Sequence, residues 1–192
     1  MTTKELLEEV RTITLANMVV IHEQIAVLTE NQKSWKSSET AWSINEVFAH
    51  LNEYAKYYHS SFITRINKTR FRTPRINFIP SPLGKSAWQS MKLGNAKNVK
   101  RKFKTLKAYN PVYDVTLLSG SEIAEFEKGQ LELLDIIEKS KEVSLRKVKI
   151  PISISTLIRF RLGDALLFVV YHNERHVQQA LNVISNRNFP KN

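Results

Sequence analysis

Apolar residues return at three- and four-residue steps through residues 3–30 of this chain, at Leu6, Leu7, Val10, Ile13, Val20, Ile21, Ile25 and Leu28, with Asn17 and Gln24 on the same stripe. That spacing belongs to an amphipathic helix, and it recurs three more times. Ser43 predicts the N-cap of a second helix, because Glu46 three residues later completes a capping box and apolar residues follow. This helix should run to about Lys68, with Val47, His50, Leu51, Tyr54, Tyr58 and Ser61 on its inner face. A third helix starts after Ser119 or Ser121 and passes through Phe126, Leu131, Leu134 and Ile137 to about Ser140. Residues 143–160 are rich in β-branched side chains and hold Pro151, which predicts a connecting segment. The last helix runs from about Arg161 to Ser185, with Leu166, Leu167, Val170, Val177, Leu181 and Ile184 as core candidates. Four long amphipathic helices joined by one long crossover predict an all-α four-helix bundle.

The 192 residues suffice for one domain with a real core, so 1–192 reads as a single unit. Hydrophobic residues make up 42%, which argues against disorder across the chain. There is no run of about 18 apolar residues, so no membrane span is expected. The first residues, MTTKELLEEV, are acidic and helical rather than basic and then apolar as a signal peptide would be. A cytoplasmic location is therefore expected. With no cysteine, disulfides, thiolate ligands and a cysteine nucleophile are excluded, and any metal must be held by His, Asp or Glu.

From Thr69 to Ser119 the helical period breaks at Pro74, Pro80, Pro82, Gly84, Gly94 and Pro111, and only short helices around 85–91 and 95–106 are expected. Between Glu53 and Asp114 there is no acidic residue, while Lys and Arg recur from Lys56 to Lys107. Such a stretch either draws an anion or forms a solvated surface in a chain of net charge +11. Phe71, Phe78, Trp88 and Phe103 are interleaved with these cations, as in proteins that bind single strands. No recognised nucleic-acid module is present, so nucleic acid ranks below the other readings.

Five histidines are candidates for chemistry. His172 and His176 are four apart in the last helix, about 40° apart around its axis, so they stack on one face. Ala165, Phe168, Val169 and Gln179 share that face, which turns the pair inward. His50 lies among Val47, Leu51 and Tyr54, again inward. His59 falls about 180° from His50 and should face solvent, and His22 lies beside the core stripe of the first helix. The zinc-protease helix places Glu directly after its first His; here Asn173 holds that position, so a metalloprotease is not supported.

The run Trp42-Ser43-Ile44-Asn45-Glu46-Val47-Phe48-Ala49-His50-Leu51 resembles the start of the second helix in the DinB/YfiT-like superfamily. His172, Arg175, His176 and Gln179 resemble that family's last-helix signature. The resemblance implies an up-down-down-up four-helix bundle and one divalent metal ion held by His50, His172 and His176. Members described as enzymes are metal-dependent hydrolases or transferases that join low-molecular-weight thiols to electrophiles. The long basic 69–118 segment departs from the family's usual form.

Three histidine ligands leave an ion with an open position, as in catalytic sites, where a bound thiol or water becomes more acidic. Zinc or nickel suits such a site, with iron, copper or manganese as further candidates. Tyr54 and Tyr57 either line the open side or are ordinary packing, and Gln179 either orients a ligand or holds a ring. The expected function is a metal-dependent transferase or hydrolase acting on a small molecule, for instance an anionic low-molecular-weight thiol. The alternatives are a metal-binding stress-related protein without turnover and, after it, a basic nucleic-acid-binding protein. A homodimer is the default assembly.

Overall fold

The computed structural model describes residues 1–94 and 107–191. These are mostly helical, with six α-helices and one two-stranded hairpin. The expected 95–106 helix and Phe103 lie outside the described residues.

Helix α1 (Thr3–Val20) starts from a capping box in which Thr2 Oγ1 accepts from Glu5 N while Glu5 Oε2 accepts from Thr2 N. It does not continue unbroken to residue 30. Residues Ile21–Ile25 form a wider turn, in which Ala26 N donates to Ile21 O, and both isoleucines are fully buried. A second capping box, Thr29 with Gln32, then starts the short α2 (Glu30–Ser34). Helix α3 (Ile44–Lys68) has the expected cap: Ser43 Oγ accepts from Glu46 N at 3.2 Å and Glu46 Oε2 from Ser43 N at 2.8 Å. In the long connection, Ser81 caps α4 (Pro82–Met91), with Pro82 in the first turn where its missing N–H is harmless. Helix α5 (Glu122–Ser140) buries Phe126, Gln130, Leu133, Ile136 and Ile137, whereas Leu131 lies off this stripe and is exposed. The segment read as a plain connection contains an antiparallel hairpin, β1 (Lys149–Ile152) and β2 (Ser155–Arg161), irregular in register between Pro151 and Ile152. Helix α6 (Leu162–Ile184) completes the chain's long elements.

The four long helices pack in the cyclic order α1–α5–α3–α6. Asn52 bonds to Glu122 O and His59 to Glu132, so α3 and α5 run the same way. Trp42 meets His176, Tyr54 meets His172 and Tyr58 meets Phe168, so α6 runs opposite to α3. No helix among the described residues is long and apolar enough to cross a membrane.

Among the described residues, the apolar interior falls into two clusters. One joins Leu6, Leu7 and Val10 of α1 to Phe62 of α3, Leu133 of α5, the hairpin and the first half of α6. The other joins Ile21, Ile25, Val47, Phe48, Leu51, Phe126, Val177 and Ala180. On α6 the first cluster reaches Tyr171 and the second begins at Val177. His172 and His176 stand where one gives way to the other.

Candidate metal centre

The site follows from two helices and one loop. The capping box fixes where α3 begins, and so sets His50 on the side that meets α6. On α6 the four-residue spacing stacks His172 and His176, with ring centroids 4.5 Å apart. His50 lies across from both, its ring centroid 5.2 Å from that of His172 and 4.8 Å from that of His176. The candidate ligand atoms of these three lie within 4.8 Å of one another, and together they can hold a metal ion. Sequence reasoning named the same trio.

Hydrogen bonds decide which nitrogens face the shared space. His50 Nδ1 lies 2.6 Å from the Tyr109 carbonyl oxygen, which can only accept, so Nδ1 carries the proton and Nε2 keeps its lone pair. His176 Nδ1 lies 2.9 Å from Gln179 Oε1 and is fixed in the same tautomer. Metal-bound histidines are commonly held this way by an outer acceptor. His50 Nε2 and His172 Nε2 are 3.3 Å apart. Two nitrogens on a tetrahedral ion, each at about 2.0–2.1 Å from it, stand about 3.4 Å from each other. His172 Nδ1 is buried and meets no partner among the described residues. The donor set among the described residues thus fits a cation: three imidazoles and no carboxylate.

Burial keeps these rings neutral, the state that ligates a metal. It lowers the pKa of His50 to about 4, although the Tyr109 carbonyl opposes the shift. His172 is held well below the ordinary histidine value, first by burial and then by His176 and His50. For His176 the causes are burial and then His50, with Gln179 pulling the other way.

Aromatic rings wall the site. Tyr54 stacks on His172 at 4.4 Å, Phe168 lies on His172 at 5.9 Å, and Trp42 approaches His50 at 5.1 Å. Burial raises the Tyr54 phenol's pKa, so it stays protonated and can donate. Tyr57 turns elsewhere, and its hydroxyl donates to Ile152 O in β1 at 2.9 Å.

The other two histidines divide. His22 is exposed. His59, expected in solvent, is instead 2% exposed, with Nδ1 2.8 Å from Glu132 Oε2. The reason is that α3 is covered by α5 on one side and by α6 on another, so more than its single apolar stripe is buried. Tyr109 escaped sequence reasoning because its contribution is a backbone carbonyl; its ring lies tilted against Tyr54, with centroids 4.9 Å apart. Phe78 and Trp88, candidates for stacking on bases, pack inward: Phe78 is 2% exposed and Trp88 lies 6.0 Å from Tyr171.

Compared with protein-family models, with curated proteins and with solved structures, the chain matches none.

Proposed function

We propose that this protein is a metal-dependent enzyme of the DinB/YfiT-like kind. In this reading it holds one divalent ion on His50, His172 and His176 and acts on a small molecule by thiol transfer or hydrolysis. The observation that carries the reading is the pair of pinned tautomers: the Tyr109 carbonyl and Gln179 each hold one Nδ1, which leaves the Nε2 lone pairs of His50 and His176 for a shared cation. The helix directions support the up-down-down-up arrangement, since α3 and α5 run together and α6 returns against α3.

A divalent ion at these nitrogens supplies Lewis acidity, which stabilises an anionic nucleophile or a developing negative charge. The chain's own residues supply the rest. Tyr109 and Gln179 fix ring orientation, and Trp42, Tyr54 and Phe168 keep the surroundings apolar, which strengthens every electrostatic contact made there. Tyr54, stacked on His172 and protonated, is placed to donate a hydrogen bond to a bound substrate. Zinc or nickel fits an all-imidazole set best.

Elemental analysis of protein purified without added metal should find about one ion per chain, and His172→Ala should abolish it. Retention of the ion by that variant would overturn the site. Metal-loaded protein should consume a low-molecular-weight thiol in the presence of an electrophilic dye or epoxide. If neither thiol consumption nor hydrolysis of activated esters or amides is seen while the ion is bound, the site is a binding centre without turnover.

A further inference from the structure

We infer that the protein carries a second binding site, distinct from the histidines: a cleft for a small phosphate-bearing molecule, held by Arg75, Arg146 and Lys147. The cleft has a volume of about 770 Å³, in the range of about 300–1,000 Å³ typical of small-ligand sites. Among the described residues, no carboxylate lines it. It lies beyond the far end of α3, where Phe71 O accepts from Ser144 N at 2.9 Å. Eighteen residues of α3 separate His50 from Lys68, about 27 Å at about 1.5 Å per residue, so the two sites are independent.

Both walls of the cleft are anchored. The wall bearing Arg75 and Ile76 is tied to the N-terminus: Thr3 N donates to Ile76 O at 2.8 Å and Phe78 N to Met1 O at 3.1 Å. Arg161 closes the same wall from behind by donating to Ile79 O. The opposite wall is the turn at Ser144, whose oxygens accept from Lys147 N and Val148 N. Lys147 and Arg70 both stand over the Phe71 ring, at 5.2 and 5.3 Å from its centroid, which places Lys147 at the junction of the walls. The cations therefore come from segments some 70 residues apart in sequence, brought to one cleft by the fold.

The chemistry of the lining selects the ligand. Guanidinium groups present a fork that matches phosphate oxygens, and lysine adds a point charge. The positive field reaches beyond the lining: Lys149 is held below the ordinary lysine pKa by burial and then by Arg161 and Arg146, with Asp164 opposing. Ile76, which is 83% exposed, and Ile79 beside it offer an apolar surface to the body of a phosphorylated molecule. A nucleic-acid strand is disfavoured because, among the described residues, no aromatic ring lines the cleft, and the ring beside it, Phe71, already carries Arg70 and Lys147.

Titration calorimetry with pyrophosphate and with ADP tests the site in the full chain at about 50 mM salt, with an oligothymidylate series alongside. Pyrophosphate and ADP should each saturate at about one per chain. The double variant Arg75→Ala/Arg146→Ala should weaken both by roughly tenfold or more. Both of those side chains are exposed, and circular dichroism of the variant should match the parent. His172→Ala should bind the anions unchanged, which separates this site from the metal centre. Absence of binding by both small anions would overturn the proposal, as would equal binding by the double variant. Oligothymidylate binding that is tighter than ADP and strengthens with length would also overturn it, in favour of a strand-binding surface.

Discussion

Gln179 shows how one side chain sets the chemistry of another. Its Oε1 is the acceptor for His176 Nδ1, so Gln179→Ala removes the group that fixes the ring's tautomer and direction. Loss of such an outer partner typically weakens a metal site by about 10–100-fold. Chelator competition at neutral pH should find that loss, and an unchanged affinity would show that the ring needs no such support. His50 carries a pH dependence of definite sign. Its pKa is about 4 when folded, against 6.5 for an ordinary histidine, so the unfolded chain takes up the proton first as pH falls. The metal-free protein therefore keeps this contribution above about pH 6.5 and loses it progressively towards about pH 4, on the order of 3 kcal/mol in all. Urea unfolding of chelator-treated protein should have a lower midpoint at about pH 4.5 than at about pH 7. His50→Gln should reduce the difference without abolishing it, because His172 and His176 are depressed in the same direction. The gathering of His50, His172 and His176 was legible in sequence because helical spacing and neighbouring apolar residues give the direction in which a side chain points. His59 was misplaced because a stripe does not say how many neighbours will cover a helix. Tyr109 was not legible at all, since any residue supplies a carbonyl.

Among the elements, two helix N-termini meet closely at Asp164. Asp164 Oδ2 accepts from Ser81 N at 2.9 Å and from Ser81 Oγ at 2.8 Å, and Ser81 Oγ in turn accepts from Gly84 N, so one carboxylate joins the start of α4 to the start of α6. A Cβ on Gly84 would sit 2.4 Å from that carboxylate, whereas a Cβ on Gly129 in α5 would meet Ala55 and His59 at an ordinary 3.8 Å. The same substitution should therefore act in opposite directions. Gly84→Ala should destabilise by about 1–3 kcal/mol through overpacking. Gly129→Ala should stabilise by about 0.5–1 kcal/mol, because alanine is the better residue inside a helix. Urea midpoints of the two variants against the parent check both signs. The long helices were legible because capping boxes and three- and four-residue steps are local signals, as at Ser43 and Glu46. The hairpin was not, because β1 and β2 are specified by pairing with each other and by the side of α3 they cover, with Tyr57 holding the Ile152 carbonyl. The break in α1 escaped for a similar reason: Ile21 and Ile25 fit an unbroken stripe as well as they fit the wider turn.

Across the whole molecule, the interior is two apolar clusters with a polar layer between them, and that layer holds the three histidines. Burying three imidazoles without a full set of partners is unfavourable, and His172 Nδ1 is already unpartnered among the described residues. A cation held between α3 and α6, as proposed, would have no preformed site in the unfolded chain, so it would shift the folding equilibrium by mass action. At free metal of about 100 times the dissociation constant this amounts to about 2.7 kcal/mol. For a chain of this length each kcal/mol moves Tm by about 2–4 °C, which predicts a rise of about 5–11 °C on loading. The gain should disappear on chelation and be absent in His172→Ala, whereas Arg75→Ala/Arg146→Ala should retain it in full, because the phosphate cleft lies beyond the far end of α3. Scanning calorimetry of these proteins with and without metal decides the matter: an equal shift in His172→Ala would mean that the ion stabilises the chain from some other place.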